Sequence, residues 1–152
     1  ETFSTEASVV EFDETFPVEV ARLNRQVVFE AQKDDVDSLL GGHLMFLHTM
    51  MVQQKLEGVE IVNFGQGGRL GRYPIHFHMC NSVANSLISK NVIRSSNQRC
   101  VVIHGSHNAQ VIDNVAYDTA GHCYILEDGA EVGNTFKRNL GAKTRALTAG
   151  IG

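Results

Sequence analysis

Val101-Val102-Ile103-His104 decides the fold because it recurs: Ile75-His76-Phe77-His78 stands one period before it and Tyr124-Ile125-Leu126-Glu127 one period after it. A second landmark, an Asn followed by an apolar residue, runs between these as Asn63-Phe64, Asn91-Val92, Asn114-Val115 and Asn139-Leu140, at steps of similar length, the first of them the longest. Two landmarks that keep one order and nearly one period point to a repeat architecture. Short runs of Val, Ile, Tyr and Phe bounded by Gly, Asn and Ser read as strands. Asn tolerates the left-handed turn conformation, and stacked amides can bond one another along an axis. No apolar stripe of helical period is sustained from Ile75 to Leu126, so a helical fold is excluded there. One turn of short strands per two dozen residues or so predicts an all-β fold, a right-handed single-stranded parallel β-helix of about six coils.

Alternate side chains of a strand point to opposite faces. Tyr73, Ile75 and Phe77, then Val101 and Ile103, then Tyr124 and Leu126 form the apolar set expected to fill the core. The other set displays His76 and His78, then Val102 and His104, then Ile125 and Glu127, with Asp128 at the strand end. Rungs of a sheet lie about 4.8 Å apart. His78, His104 and Glu127 are therefore expected in one column on the outer face, with His76 beside them. Imidazoles next to carboxylates can act as a general acid–base pair or hold a divalent cation, and His78, His104 and Glu127 are the candidate ligands. The same spacing also suits a plain ladder of stacked histidines that satisfy one another, or ordinary substrate binding. His43, His48 and His107 read as turn or surface residues. Cys100 and Cys123 would sit on adjacent rungs as small buried thiols, since in-register parallel neighbours seldom give good disulfide geometry.

Residues 1–40 are less regular. Val9-Val10-Glu11-Phe12, Val18-Glu19-Val20 and Gln26-Val27-Val28-Phe29 read as short strands, and Lys33 to Ser38 as a protruding loop with a solvated acidic face. No linker divides residues 1–152, which are expected to form one β-helix segment excised from a larger extracellular protein. The net charge is −4, and no concentrated basic surface is visible, which argues against a nucleic-acid partner. No apolar run approaches the roughly 20 residues needed to span a bilayer. Three cysteines cannot form a fully paired framework and do not decide the compartment.

Gly41-Gly42-His43, the stretch Gly68-Arg69-Leu70-Gly71-Arg72-Tyr73-Pro74-Ile75-His76-Phe77-His78-Met79, the run from Arg99 to Gly105 and the run from Tyr117 to Gly129 together resemble one extracellular family. It is the G8 and β-helix family of the cell migration-inducing hyaluronan-binding protein, the transmembrane cell-surface hyaluronidase and fibrocystin-L. Residues Val18 to Arg25 look like the family's entry into its β-helix. The resemblance implies an extracellular or cell-surface β-helix domain. In the hyaluronidase branch it implies cleavage of hyaluronan, with calcium or another divalent cation involved. In the fibrocystin-L branch, to which Gly68 to Tyr73 is similar, it implies a non-catalytic structural or adhesive part of a large ciliary or cell-surface protein. The expected partners are accordingly an extracellular glycan or other extracellular protein segments. On the glycan reading, His78, His104, Glu127 and Asp128 would carry the chemistry, and Arg72, His76, Arg99 and His122 would bind the substrate, arginine being suited to planar carboxylates.

Overall fold

The computed structural model describes residues 20–32, 39–49 and 52–147. The strands, in chain order, are β1 (Val27–Glu30), β2 (Leu44–Phe46), β3 (Lys55–Glu57), β4 (Val59–Val62), β5 (Ile75–Ser82), β6 (Leu87–Ser89) and β7 (Val92–Arg94). They continue as β8 (Val101–His107), β9 (Gln110–Ile112), β10 (Val115–Ala120), β11 (Tyr124–Leu126), β12 (Thr135–Lys137) and β13 (Leu140–Arg145). They stack into three sheets of order β1-β4-β7-β10-β13, β11-β8-β5-β2 and β12-β9-β6-β3. Every strand pair is parallel. Each turn of the chain thus places one strand in each sheet, which is a parallel β-helix.

The described residues build four complete coils and the first strand of a fifth. The coils are not of equal length. Val27 pairs with Val59 and Leu44 with Ile75, so the early coils take more residues per turn than the tight step from Val101 to Tyr124. Of the expected upstream strands, Gln26 to Phe29 is realised as β1, whereas Val9 to Phe12, most of Val18 to Val20 and the Lys33 to Ser38 loop lie outside the described residues.

The corner between the third and first sheets shows why Asn recurs. Gly58, Lys90, Asp113 and Arg138 all take positive φ there, turning the chain sharply. The residue that follows points inward, and at three corners it is Asn. Asn114 Oδ1 accepts from the Asn91 N–H at 3.0 Å, and Asn139 Oδ1 accepts from the Asn114 N–H at 3.0 Å. Asn91 Oδ1 in turn accepts from the Val59 N–H at 3.1 Å. The amide nitrogens donate to the carbonyls of Leu56, Ile88 and Val111. Asn91 and Asn114 are fully buried, where an unmet backbone group is costly, and the side chains meet that need. Asn63 does not belong to this ladder, contrary to the sequence pattern: it follows β4, at the next corner of the coil. Val59 occupies the equivalent of Asn91 on the coil before, which explains why the step from Asn63 to Asn91 is out of line with the later two.

The interior column is apolar as expected. Ile75, Phe77, Val101 and Ile103 are fully buried and join Ile61, Ile88, Ile93 and Val111 in one cluster, with Tyr124 and Leu126 packed against it. Phe46 stacks on Phe77 with ring centroids 4.7 Å apart. Burying each such side chain contributes about 1.5–3 kcal/mol. Tyr73 departs from its assigned face. It precedes Pro74, ahead of the strand proper, and its hydroxyl meets Glu127 on the outer side. Cys80, Cys100 and Cys123 are free and buried. No helix among the described residues is long and apolar enough to cross a membrane.

Candidate functional site

Register brings the column together. His78 pairs with His104 across β5 and β8, and the Glu127 N–H donates to the Ile103 carbonyl at 2.9 Å, so the ladder runs one residue past β11. His78 Nδ1 and His104 Nδ1 are 3.2 Å apart. His104 Nδ1 lies 3.5 Å from Glu127 Oε2, and its Nε2 lies 3.1 Å from Asp128 Oδ2. These side chains, with Leu70 and Gly71, line a solvent-open cleft of about 290 Å³.

His76 lies beneath that cleft. Although it shares the outer face, it is fully buried, its ring edge-on to Tyr73 at 4.8 Å and parallel to that of His104 at 6.1 Å. Its Nδ1 is 3.0 Å from the Gly71 carbonyl, while its Nε2 has no hydrogen-bond partner and lies 3.9 Å from Glu127 Oε2. Burial is the main force lowering its pKa to about 4; the Gly71 carbonyl and Glu127 pull only partly the other way, so the ring is neutral at pH 7. The Gly-rich turn that supplies the Gly71 carbonyl depends on positive φ at Gly68 and Gly71.

Glu127 is the hub. The Tyr73 hydroxyl donates to its Oε1 at 2.5 Å, and Arg99 Nη1 lies 3.6 Å from the same oxygen and 3.3 Å from the Tyr73 hydroxyl. Burial, then the bond to Glu127, raises the Tyr73 pKa, keeping the phenol protonated as the donor. The Arg99 guanidinium also lies 5.9 Å from the Tyr73 ring centroid. The arrangement is a carboxylate held by a phenol and a guanidinium on one oxygen and faced by two imidazoles at the other.

A family model described as CEMIP beta-helix matches residues 39–151. The chain belongs to the CEMIP β-helix family. Among the relatives of this CEMIP β-helix is a G8 domain-containing protein of Dictyostelium discoideum, 40% identical over 132 residues that cover 87% of the chain and 11% of the relative. Protein rliB of the same organism is 39% identical over 127 residues, covering 84% of the chain and 11% of the relative. The human cell surface hyaluronidase CEMIP2 is 32% identical over 148 residues, covering 86% of the chain and 11% of that protein. The chain thus spans about a tenth of the length of these relatives.

Within the CEMIP β-helix, the candidate residues divide. His76, His78, His104, Arg99, Glu127 and Asp128 come together around the cleft. Arg72 stands apart, exposed, with Nη1 2.8 Å from His43 Nε2. His122 is exposed at the turn into β11, where its backbone carbonyl accepts from Cys100. Arg99 is only 15% exposed and is engaged with Glu127 and Tyr73 rather than free for a substrate carboxylate. Tyr73 is the participant that alternation hid; the proline after it, which restricts it to extended backbone ahead of the strand, was the available signal. His43, His48 and His107 each bind locally, to Arg72, the Cys80 carbonyl and the Val132 N–H. Calcium takes about six to eight oxygen ligands. The described residues at this cluster offer mostly imidazole nitrogen, and Glu127 Oε1 is already taken, so the cluster does not fit calcium.

Proposed function

We propose that the chain is an extracellular or cell-surface β-helix that binds a polysaccharide of the hyaluronan type at the His78–His104–Glu127 cleft and cleaves it there. One observation carries this: carboxylates and imidazoles from three successive coils converge on an open cleft rather than being sealed under a loop. The human relative's name adds to it, because that protein is a hyaluronidase. A sugar chain laid along the sheet would meet one set of side chains per rung. Asp128, half exposed at the cleft edge, and His104 beside it are placed to move a proton to or from a glycosidic oxygen. Glu127, held by Tyr73 and Arg99, would stabilise positive charge developing on the sugar ring.

The test is incubation of the chain with hyaluronan and, separately, with chondroitin and heparan chains, following polymer length by light scattering after gel filtration. Glu127→Gln and Asp128→Asn should each abolish shortening while leaving binding measurable. No binding and no shortening of any of these glycans by a folded chain would remove the proposal. That result would favour the second reading, a structural or adhesive rod. What favours that reading is the contact between His78 and His104, register partners whose Nδ1 atoms are 3.2 Å apart and can satisfy one another as a plain ladder.

A further inference from the structure

We propose that His76, His78 and His104 form a binding site for a divalent transition-metal ion of the zinc class, with Glu127 beside it as an oxygen donor. The inference goes beyond the glycan reading and does not require it.

The case rests on which nitrogen of each ring is free. A carbonyl only accepts, so the contact between His76 Nδ1 and the Gly71 oxygen puts the ring proton on Nδ1. The Nε2 lone pair is then turned toward the cluster, fully buried and without a partner. His104 is oriented the same way. Its Nε2 lies 3.1 Å from Asp128 Oδ2, which draws the ring proton to Nε2 and leaves Nδ1 as a lone pair facing inward. This carboxylate–imidazole arrangement is the outer-shell geometry that fixes the tautomer of a metal-ligating histidine. His78 Nδ1 stands 3.2 Å from His104 Nδ1. For metal–nitrogen bonds of about 2.0–2.1 Å, two ligands of a tetrahedral ion stand roughly 3.3–3.4 Å apart, so this pair already has the spacing of ligands.

One ligand nitrogen from each of the three histidines lies within 4.8 Å of the others. Glu127 Oε2 lies 3.5 Å from His104 Nδ1 and 3.9 Å from His76 Nε2. When His78 carries its proton on Nε2, its Nδ1 lone pair joins those of His76 and His104 in facing one another across this space, an arrangement a cation relieves. Imidazole nitrogen with one carboxylate suits zinc, copper, nickel or cobalt and disfavours calcium and magnesium. Three histidines and a carboxylate that can be displaced also leave the cleft side of the ion open.

The experiment uses the chain freed of metal with a chelator, without glycan, and titrated with Co²⁺ as an optical probe for a zinc site. Visible ligand-field bands should grow to a single equivalent, and Zn²⁺ should displace them, while calcium in large excess leaves them unchanged. His78→Ala and His104→Ala should each lose the bands, whereas His107→Gln and His122→Gln, outside the cluster, should keep them. Circular dichroism of each variant separates lost ligation from lost fold. Asp128→Asn, an exposed position outside the ligand set, should retain the fold and weaken zinc by about 10–100-fold. A chain that takes up no cobalt at one equivalent, bands that persist without His78 and His104, or displacement by calcium would each overturn the proposal. Since no sugar is present, its failure and that of the glycan reading are told apart.

Discussion

Replacing Asn114 by Ala is the sharpest test of how this solenoid is held together. The side chain makes four hydrogen bonds: Oδ1 accepts from the Asn91 N–H and Nδ2 at 3.0 and 3.1 Å, and Nδ2 donates to the Ile88 carbonyl and Asn139 Oδ1 at 2.9 and 3.0 Å. Two of the partners have other recourse. Asn91 Nδ2 still reaches the Leu56 carbonyl, and Asn139 Oδ1 still accepts from the Asn114 N–H. The Asn91 N–H loses its acceptor in the buried interior, while the Ile88 carbonyl loses one of two donors and keeps its ladder bond to β9. The orphaned N–H costs about 1–3 kcal/mol and the lost second bond to the Ile88 carbonyl about 0.5–1.5 kcal/mol, so the change predicts a loss of about 1.5–4.5 kcal/mol. That is a large share of the roughly 5–15 kcal/mol that keeps a domain folded. The chain has no Trp, so urea unfolding is best followed by far-ultraviolet circular dichroism. A loss below about 1 kcal/mol, at unchanged denaturant slope, would show that the backbone or a water replaces the amide and would refute the reasoning.

Four further outcomes are expected. Tyr73→Phe removes a donor to the Glu127 carboxylate and should cost about 1.5–3 kcal/mol by the same denaturation assay, together with any hyaluronan cleavage. His76 has its pKa depressed in the fold to about 4, so between there and the ordinary imidazole value of about 6.5 the unfolded chain binds a proton that the folded chain refuses. Stability should therefore be intact above that window and fall as pH drops through it, and His76→Gln, measured with chelator present, should flatten the slope. Burial raises the Glu131 pKa, but the N–H groups of Gly105 and Asp128 that it accepts from help bring it below the usual carboxylate range. Its contribution should persist above the unfolded pKa and disappear as pH falls through the folded one, a loss absent in Glu131→Gln melts. Gly41→Ala would set a methyl group on the carbonyl oxygen of Asn63 and should lower the melting temperature, at a cost of about 1–3 kcal/mol or more.

Periodicity carried most of the fold, because a solenoid repeats its physics once per turn. Asn91, Asn114 and Asn139 repeat since each corner must satisfy the same backbone groups, and Ile75, Val101 and Tyr124 repeat since each coil fills the same slice of core. The column of His78, His104 and Glu127 was legible for the same reason. What escaped was whatever departs from the period. Asn63 mimics the corner Asn but sits after β4, while Val59 holds the true position. Tyr73 keeps the alternation in number only, because Pro74 separates it from the strand. Residue type makes Arg99 a substrate-binding candidate, yet the two partners that engage it come from other coils, a relation no local pattern records.

The corner amides also give the molecule a direction. Each Oδ1 faces the coil before it, so the chain of bonds can be opened by a residue that offers nothing but a backbone N–H, as Val59 does. Every later position has to supply a carboxamide. Tolerance to substitution is therefore lopsided: Val59 can drift among apolar residues, while a coil inserted anywhere downstream would have to bring its own Asn to leave the sequence of bonds unbroken.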